Sequence, residues 1–84
     1  MTTTILIVAK NEAGGIRQVI RFVKRYADEV IVVDGRSTDG TAQLAHKEGV
    51  SVYPDHGKGR GDGVRVGLTK ATGDIVVLFD ADGS

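Results

Sequence analysis

Eighty-four residues, with 11 Lys and Arg balanced by 11 Asp and Glu, specify one small domain and remove any general electrostatic case for binding nucleic acid or an anionic membrane. The absence of Cys excludes a disulfide frame, a thiolate zinc site and a Cys nucleophile, and without Trp the core must come from Val, Ile, Leu and Ala. The start lacks a basic segment and no apolar run approaches the roughly 20 residues that span a bilayer, so a cytoplasmic segment is expected, with an anchor elsewhere in a longer parent left open.

The first apolar run, Ile5-Leu6-Ile7-Val8, is short, continuous and β-branched, as in a strand buried on both faces. Ile16, Val19, Ile20, Val23 and Ala27 then recur at helical spacing, with Arg17, Gln18, Arg21, Lys24 and Arg25 opposite. Val30 to Val33 reads as a second buried strand. A helix is expected from about Thr38 to Lys47, capped by Ser37 or Thr38, with Asp39 at its positive end. Gly49 breaks it, Val50 to Tyr53 form a shorter third strand, and Pro54 stops that strand. A flexible, glycine-rich, locally basic loop, Gly57 to Gly63, leads into a third helix with Val64, Leu68 and Ala71 on one face. Gly73-Asp74 turns the chain into the last strand, Ile75 to Phe79.

Four strands alternating with three helices predict an α/β fold, a parallel sheet with helices on both faces. The expected strand order is 3-2-1-4, the first half of a doubly wound sheet. Ligands of such sheets bind beyond the carboxyl ends of the strands. There the chain places Asn11 and Glu12, then Asp34, then Asp55, His56 and Lys58, then Asp80 and Asp82. Carboxylates gathered at one rim without a matching group of cations repel one another, and a divalent metal or ligand donors would relieve that. Asp80-Ala81-Asp82 is the sharpest element, readable as a pair of hard ligands for Mg²⁺ or Mn²⁺ or as an acidic turn. Backbone N–H groups of the Gly57–Gly63 loop, with Lys58 or Arg60, can reach phosphate oxygens. That loop is neither a P-loop nor a dinucleotide fingerprint. His46, His56, Ser37 and Thr38 lack the partners that catalysis would need.

With these residues in place, the chain resembles the amino-terminal part of family 2 glycosyltransferases of the A-type fold. It is most similar in flavour to polyprenyl-phosphate sugar synthases of the dolichyl-phosphate mannose synthase kind. The likeness rests on four segments in the family's order: Ile7 to Glu12, Val32 to Thr41, Gly57-Lys58-Gly59 with its helix, and Ala71 to Gly83. It implies that Glu12 and Asn11 contact the nucleotide near the ribose or base, with Ala9 in the pocket wall. Asp34 would hydrogen-bond the base, Lys58 would lie by the nucleotide, Asp80 would meet the ribose or metal shell, and Asp82 would hold Mg²⁺ or Mn²⁺ on the diphosphate. The implied donor is a UDP-sugar or GDP-sugar and the implied acceptor a polyprenyl phosphate. The family often has Pro at Val8, an aromatic or basic residue at Lys10, and Asp-Gly where Gly35-Arg36 stand; Arg36 is expected to pair with Asp34 or lean toward a phosphate.

Residues 1–84 are thus expected to form a donor-binding subdomain ending after the Asp-x-Asp segment. It would lack the acceptor half and the catalytic base, carry no catalytic residue and be inactive alone. The apolar last strand would be an open edge, which predicts a homo-oligomer. The competing readings are a non-catalytic folding or assembly unit and a sugar nucleotidyltransferase. The latter generally places a glycine-rich, Arg-containing loop after the first strand, where this chain has Ala9 to Gly15 without Arg.

Overall fold

In a computed structural model, which describes residues 1–81, four parallel strands form one sheet in the order β3-β2-β1-β4. The strands are β1 (Thr3–Ala9), β2 (Glu29–Asp34), β3 (Ser51–Pro54) and β4 (Ile75–Asp80). The crossovers carry α1 (Ile16–Val23), α2 (Thr41–Lys47) and α3 (Arg60–Lys70). Architecture and strand order match the expectation.

Alternate residues of each strand serve opposite faces. Ile5, Ile7 and Ala9 of β1 pack with Val30 and Val32 of β2 against Ile16, Ile20 and Val23 of α1 and Ala45 of α2. Leu6, Ile31 and Val33 face the other way, toward Val66 of α3 and Ala71. This two-sided burial explains why β1 and β2 are unbroken apolar runs. Strand β1 is central, and register pairs Val8 with Val33 and Asp80, and Ala9 with Asp34. All four strand ends therefore reach the same rim.

Three expectations need correction. The first helix ends at Val23, and Lys24–Tyr26 tighten into a 3₁₀ turn before Ala27 extends into the β2 approach. The second starts at Thr41 because Gly40 takes a left-handed φ of 90°. Neither Ser37 nor Thr38 caps it, since both are used in loop contacts described below. On α3 the fully buried residues against the sheet are glycines, with Val66 packed beside them. Gly63 and Gly67 are buried, whereas Leu68 is exposed and Val64 only partly buried. A Cβ on Gly67 would stand 2.2 Å from Leu6 Cδ1, and one on Gly63 2.7 Å from Val8 Cγ1. Close approach of the helix backbone to β1 thus replaces side-chain interdigitation. The loop expected up to Gly63 accordingly ends at Gly59, and Arg60 to Gly63 form the first turn of α3.

Strand β4 is an edge with both faces uncovered. Ile75, Val76, Val77 and Leu78 are 37–44% exposed. At the amino rim, carboxylates do structural work. Asp28 accepts from Thr3 N–H (2.7 Å), Asp74 from Thr2 N–H (2.9 Å), and Glu29 from Thr4 Oγ1 (2.7 Å) and Thr72 N–H (2.9 Å).

Candidate functional site

The carboxyl rim opens into a cleft of about 420 Å³. From the end of β1 it takes Val8, Ala9, Lys10 and Glu12; from β2, Gly35 and Arg36; beyond β3, Asp55, Gly57, Gly59 and Arg60; and from β4, Asp80 and Ala81. In the order 3-2-1-4 the chain direction of crossovers reverses between β1 and β4, so the cleft lies at the topological switch point of the sheet.

Of the expected site residues, Ala9, Glu12 and Asp80 are in the walls. Asn11, Asp34 and Lys58 are not, and Asp82 lies outside the described residues. Asp34 is buried behind Gly35 and turned into its own loop, where it accepts from Ser37 N–H (2.9 Å) and Ser37 Oγ–H (2.6 Å). Asn11 adopts φ 53°, a left-handed conformation that Asn tolerates better than most residues. Its Oδ1 accepts from Thr38 N–H (2.9 Å) while its N–H donates to Ser37 Oγ (2.8 Å). Further along, Ala13 N–H donates to Asp39 (3.1 Å) and Glu12 N–H to Thr41 Oγ1 (2.9 Å), and Thr41 Oγ1 in turn donates to Asp39. The Asp34–Thr41 segment therefore zips the loops after β1 and β2 together. These bonds, the Thr41 hydroxyl first, hold the Asp39 carboxyl below the ordinary Asp range.

The charge pattern also differs from expectation. Among the described residues, the carboxylates of the cleft walls are Glu12, Asp55 and Asp80, and Lys10, Arg36 and Arg60 share those walls. Arg60, at the start of α3, grips Asp80 Oδ1 from Nε (2.9 Å) and a second guanidinium nitrogen (2.8 Å). Arg36 pairs with Asp55 rather than Asp34, at 3.8 Å from Nε to Oδ1. Chain cations thus offset part of the carboxylate repulsion, closely at Asp80 and only weakly at Asp55. The loop after β3 is organised by Asp62, the third residue of α3. Its carboxylate accepts from His56 N–H (2.6 Å) and Lys58 N–H (3.4 Å) and lies 2.8 Å from His56 Nδ1. The His56 ring contact is the main reason that the Asp62 carboxyl stays below its ordinary range. Lys58 is exposed, outside the cleft walls.

Sequence reasoning placed Asp55 at the rim without a role, and gave Arg60 and Arg36 only a general reach toward phosphate or, for Arg36, a pairing with Asp34. Their signal was position after a strand plus a glycine neighbour. Among the described residues, no three His, Cys, Asp or Glu side chains gather into a ready metal cage. Asp80 Oδ2 has no hydrogen-bond partner among them. Mg²⁺-type sites commonly use only one or two carboxylates, with waters and substrate phosphates completing the shell. One half-exposed carboxylate followed two residues later by another fits that donor set.

A parallel sheet with a polar cleft at its switch point defines an open α/β architecture of the kind that binds ligands beyond its strand ends. Comparison with known proteins makes this specific: residues 4–84 match the family model described as glycosyl transferase family 2, and the chain belongs to that family. It is 33% identical to the low-salt glycan biosynthesis hexosyltransferase Agl6 of Haloferax volcanii, over 96% of this chain and 21% of that protein. It is 39% identical to glycosyltransferase AglJ of the same organism, over 95% of this chain and 27% of the relative. Among solved structures it is similar to glucosyl-3-phosphoglycerate synthase from Mycobacterium tuberculosis in complex with Mn²⁺, UDP and glucosyl-3-phosphoglycerate. There the TM-score is 0.86 at 30% identity, covering 95% of this chain and 33% of that one. Mannosyl-3-phosphoglycerate synthase from Rubrobacter xylanophilus gives a TM-score of 0.87 at 29% identity, over 98% and 31%. The chain thus spans about a third or less of each of these relatives.

Proposed function

We propose that residues 1–84 form the donor-binding region of a glycosyltransferase, holding a UDP-sugar or GDP-sugar with Mg²⁺ or Mn²⁺. The observation that carries this reading is the convergence of Glu12, Arg36, Arg60 and Asp80 on one cleft at the switch point, in a chain of this family. A structural relative was crystallised with Mn²⁺ and UDP, which supports the same ligand class here.

In this reading Glu12 and Ala9 flank the nucleoside. Asp34 receives the base through the lone pairs that Ser37 leaves open, and Asn11 acts by shaping the loop. Lys58 lies by the nucleotide. Asp80 and Asp82 are the metal's carboxylates. When bound, the metal would offset charge developing on the departing diphosphate. Arg60 holds Asp80 in place beforehand and is itself a diphosphate donor. A cytoplasmic location, where subcellular fractionation would find the protein, belongs to this reading.

The test is calorimetry with UDP and with GDP, each with and without Mn²⁺. Binding of one of them, strengthened by Mn²⁺ and stripped of that gain by Asp82→Ala, is the expected result; no binding of either overturns the reading. The acceptor is a polyprenyl phosphate, as the sequence likeness implied, or a small phosphorylated acid, since another complex of the M. tuberculosis relative carried phosphoglyceric acid. Partition of transferred label between organic and aqueous phases separates the two.

The uncovered apolar edge of β4 supports pairing with a second copy of this chain. Light scattering that reports a monomer over a wide concentration range would rule it out.

A further inference from the structure

Two described residues other than glycine have a positive φ, Asn11 and Arg36. Asn is suited to that region; Arg, at φ 61°, is not, and a strained non-glycine backbone persists only where something else holds it. The obvious structural partner is inadequate. Arg36 Nε stands 3.8 Å from Asp55 Oδ1, beyond hydrogen-bonding distance, and that oxygen already accepts from Gly57 N–H at 2.8 Å. Among the described residues the guanidinium has no hydrogen-bond acceptor, although its side chain is 63% exposed and lines the cleft.

Its position is nevertheless built. The arm crosses Gly57, where an added Cβ would stand 3.2 Å from Arg36 Nε and 3.3 Å from Cδ. Gly57, itself at φ 77°, leaves the room that the arm occupies. Arg36 follows β2, whereas Asp80 closes β4, with β1 between them. Two strand spacings separate these ends by about 10 Å. Arg36 thus belongs to the end of the cleft away from the Asp80 carboxylate.

We propose that Arg36 is a nucleoside-contacting residue, whose unfilled donors and flat guanidinium recognise the base or ribose of the nucleotide while its backbone stays strained. This rests on the donor-binding reading above. The test compares the unaltered protein with Arg36→Gly and Arg36→Ala, by calorimetry with UMP, UDP, GMP and GDP in Mn²⁺ and by thermal melting. Both variants lack the guanidinium, but only glycine relieves the backbone. Loss of charge-assisted hydrogen bonds predicts about tenfold weaker binding or more in both, equal for the monophosphate and diphosphate of the preferred base. The glycine variant should melt about 4–8 °C above the alanine variant. Unchanged affinity, or a loss confined to the diphosphate, overturns the assignment, and equal melting of the two variants removes the strain. If the unaltered protein binds none of the four nucleotides, the donor-binding reading itself has failed, an outcome distinct from normal binding by the variants.

Discussion

Substituting Gly67 by Ala tests the unusual packing of α3 directly. In an exposed helix interior this change stabilises by about 1 kcal/mol. Here the new Cβ would meet Leu6 Cδ1 at 2.2 Å, Cδ2 at 2.5 Å and Cγ at 2.8 Å, against a comfortable carbon separation of about 3.5–4.0 Å. Leu6 is fully buried on the central strand, so its whole isobutyl group must move or the helix must lift. Overpacking of this kind costs about 1–3 kcal/mol, and three simultaneous overlaps point to the upper end. After the propensity gain, a net loss of about 1–2 kcal/mol remains. For a domain of this size that lowers the melting temperature by about 4–16 °C. Gly61→Ala on the same helix is the control, because nothing lies within 4 Å of its added Cβ. It should be neutral or stabilising by a few tenths of a kcal/mol. Leu6→Ala alone should cost about 2–5 kcal/mol, and the double variant should lose clearly less than the sum, since the clashing atoms are gone. Urea denaturation of the four variants reads all of these values. A Gly67→Ala protein as stable as Gly61→Ala, or strict additivity with Leu6→Ala, would refute the account of α3.

Other outcomes follow from the same structure. Asp62→Asn removes the charge that gathers His56 and Lys58 N–H, so nucleotide affinity should fall several-fold in calorimetry. Gly73→Ala should destabilise, because its Cβ would stand 2.8 Å from the Thr4 backbone nitrogen, which cannot swing away as a side chain can; chemical denaturation checks this. Glu29, Asp39, Glu48 and Asp62 all have folded-state pKa values below their ordinary ones, Glu29 chiefly through Thr72 N–H and Glu48 chiefly through Arg21. Their contribution is complete above the unfolded carboxylate range near pH 4 and is lost as pH falls through the lower folded values. Melting temperature should thus be flat down to about pH 5 and decline below it, less steeply in Glu29→Gln.

Much of the site was legible only as position. The rule that ligands gather beyond strand ends singled out Glu12, Asp34, Asp55 and Asp80 together. It could not separate Asp80, which faces the cleft, from Asp34, which turns toward Ser37. That choice depends on hydrogen bonds between loops: Asn11 reaches Ser37 and Thr38 across 26 and 27 residues of chain, and their joint geometry has no local signature. The pairing of Arg60 with Asp80 spans 20 residues and has no local signature for the same reason.

What the sequence by itself determined was the succession of elements, from which the doubly wound pattern gave the strand order and right-handed crossovers the placing of helices on the sheet faces. Continuous β-branched runs can only be satisfied by burial on both faces, and the helical spacing of Ile16, Ile20 and Val23 supplies one cover. Only the tertiary structure decided the inner face of α3. Hydrophobic periodicity registers side chains, and a face made of Gly63 and Gly67 offers none to register. It becomes a face only when Leu6 and Val8 of β1 arrive to fill the space that the missing Cβ atoms leave.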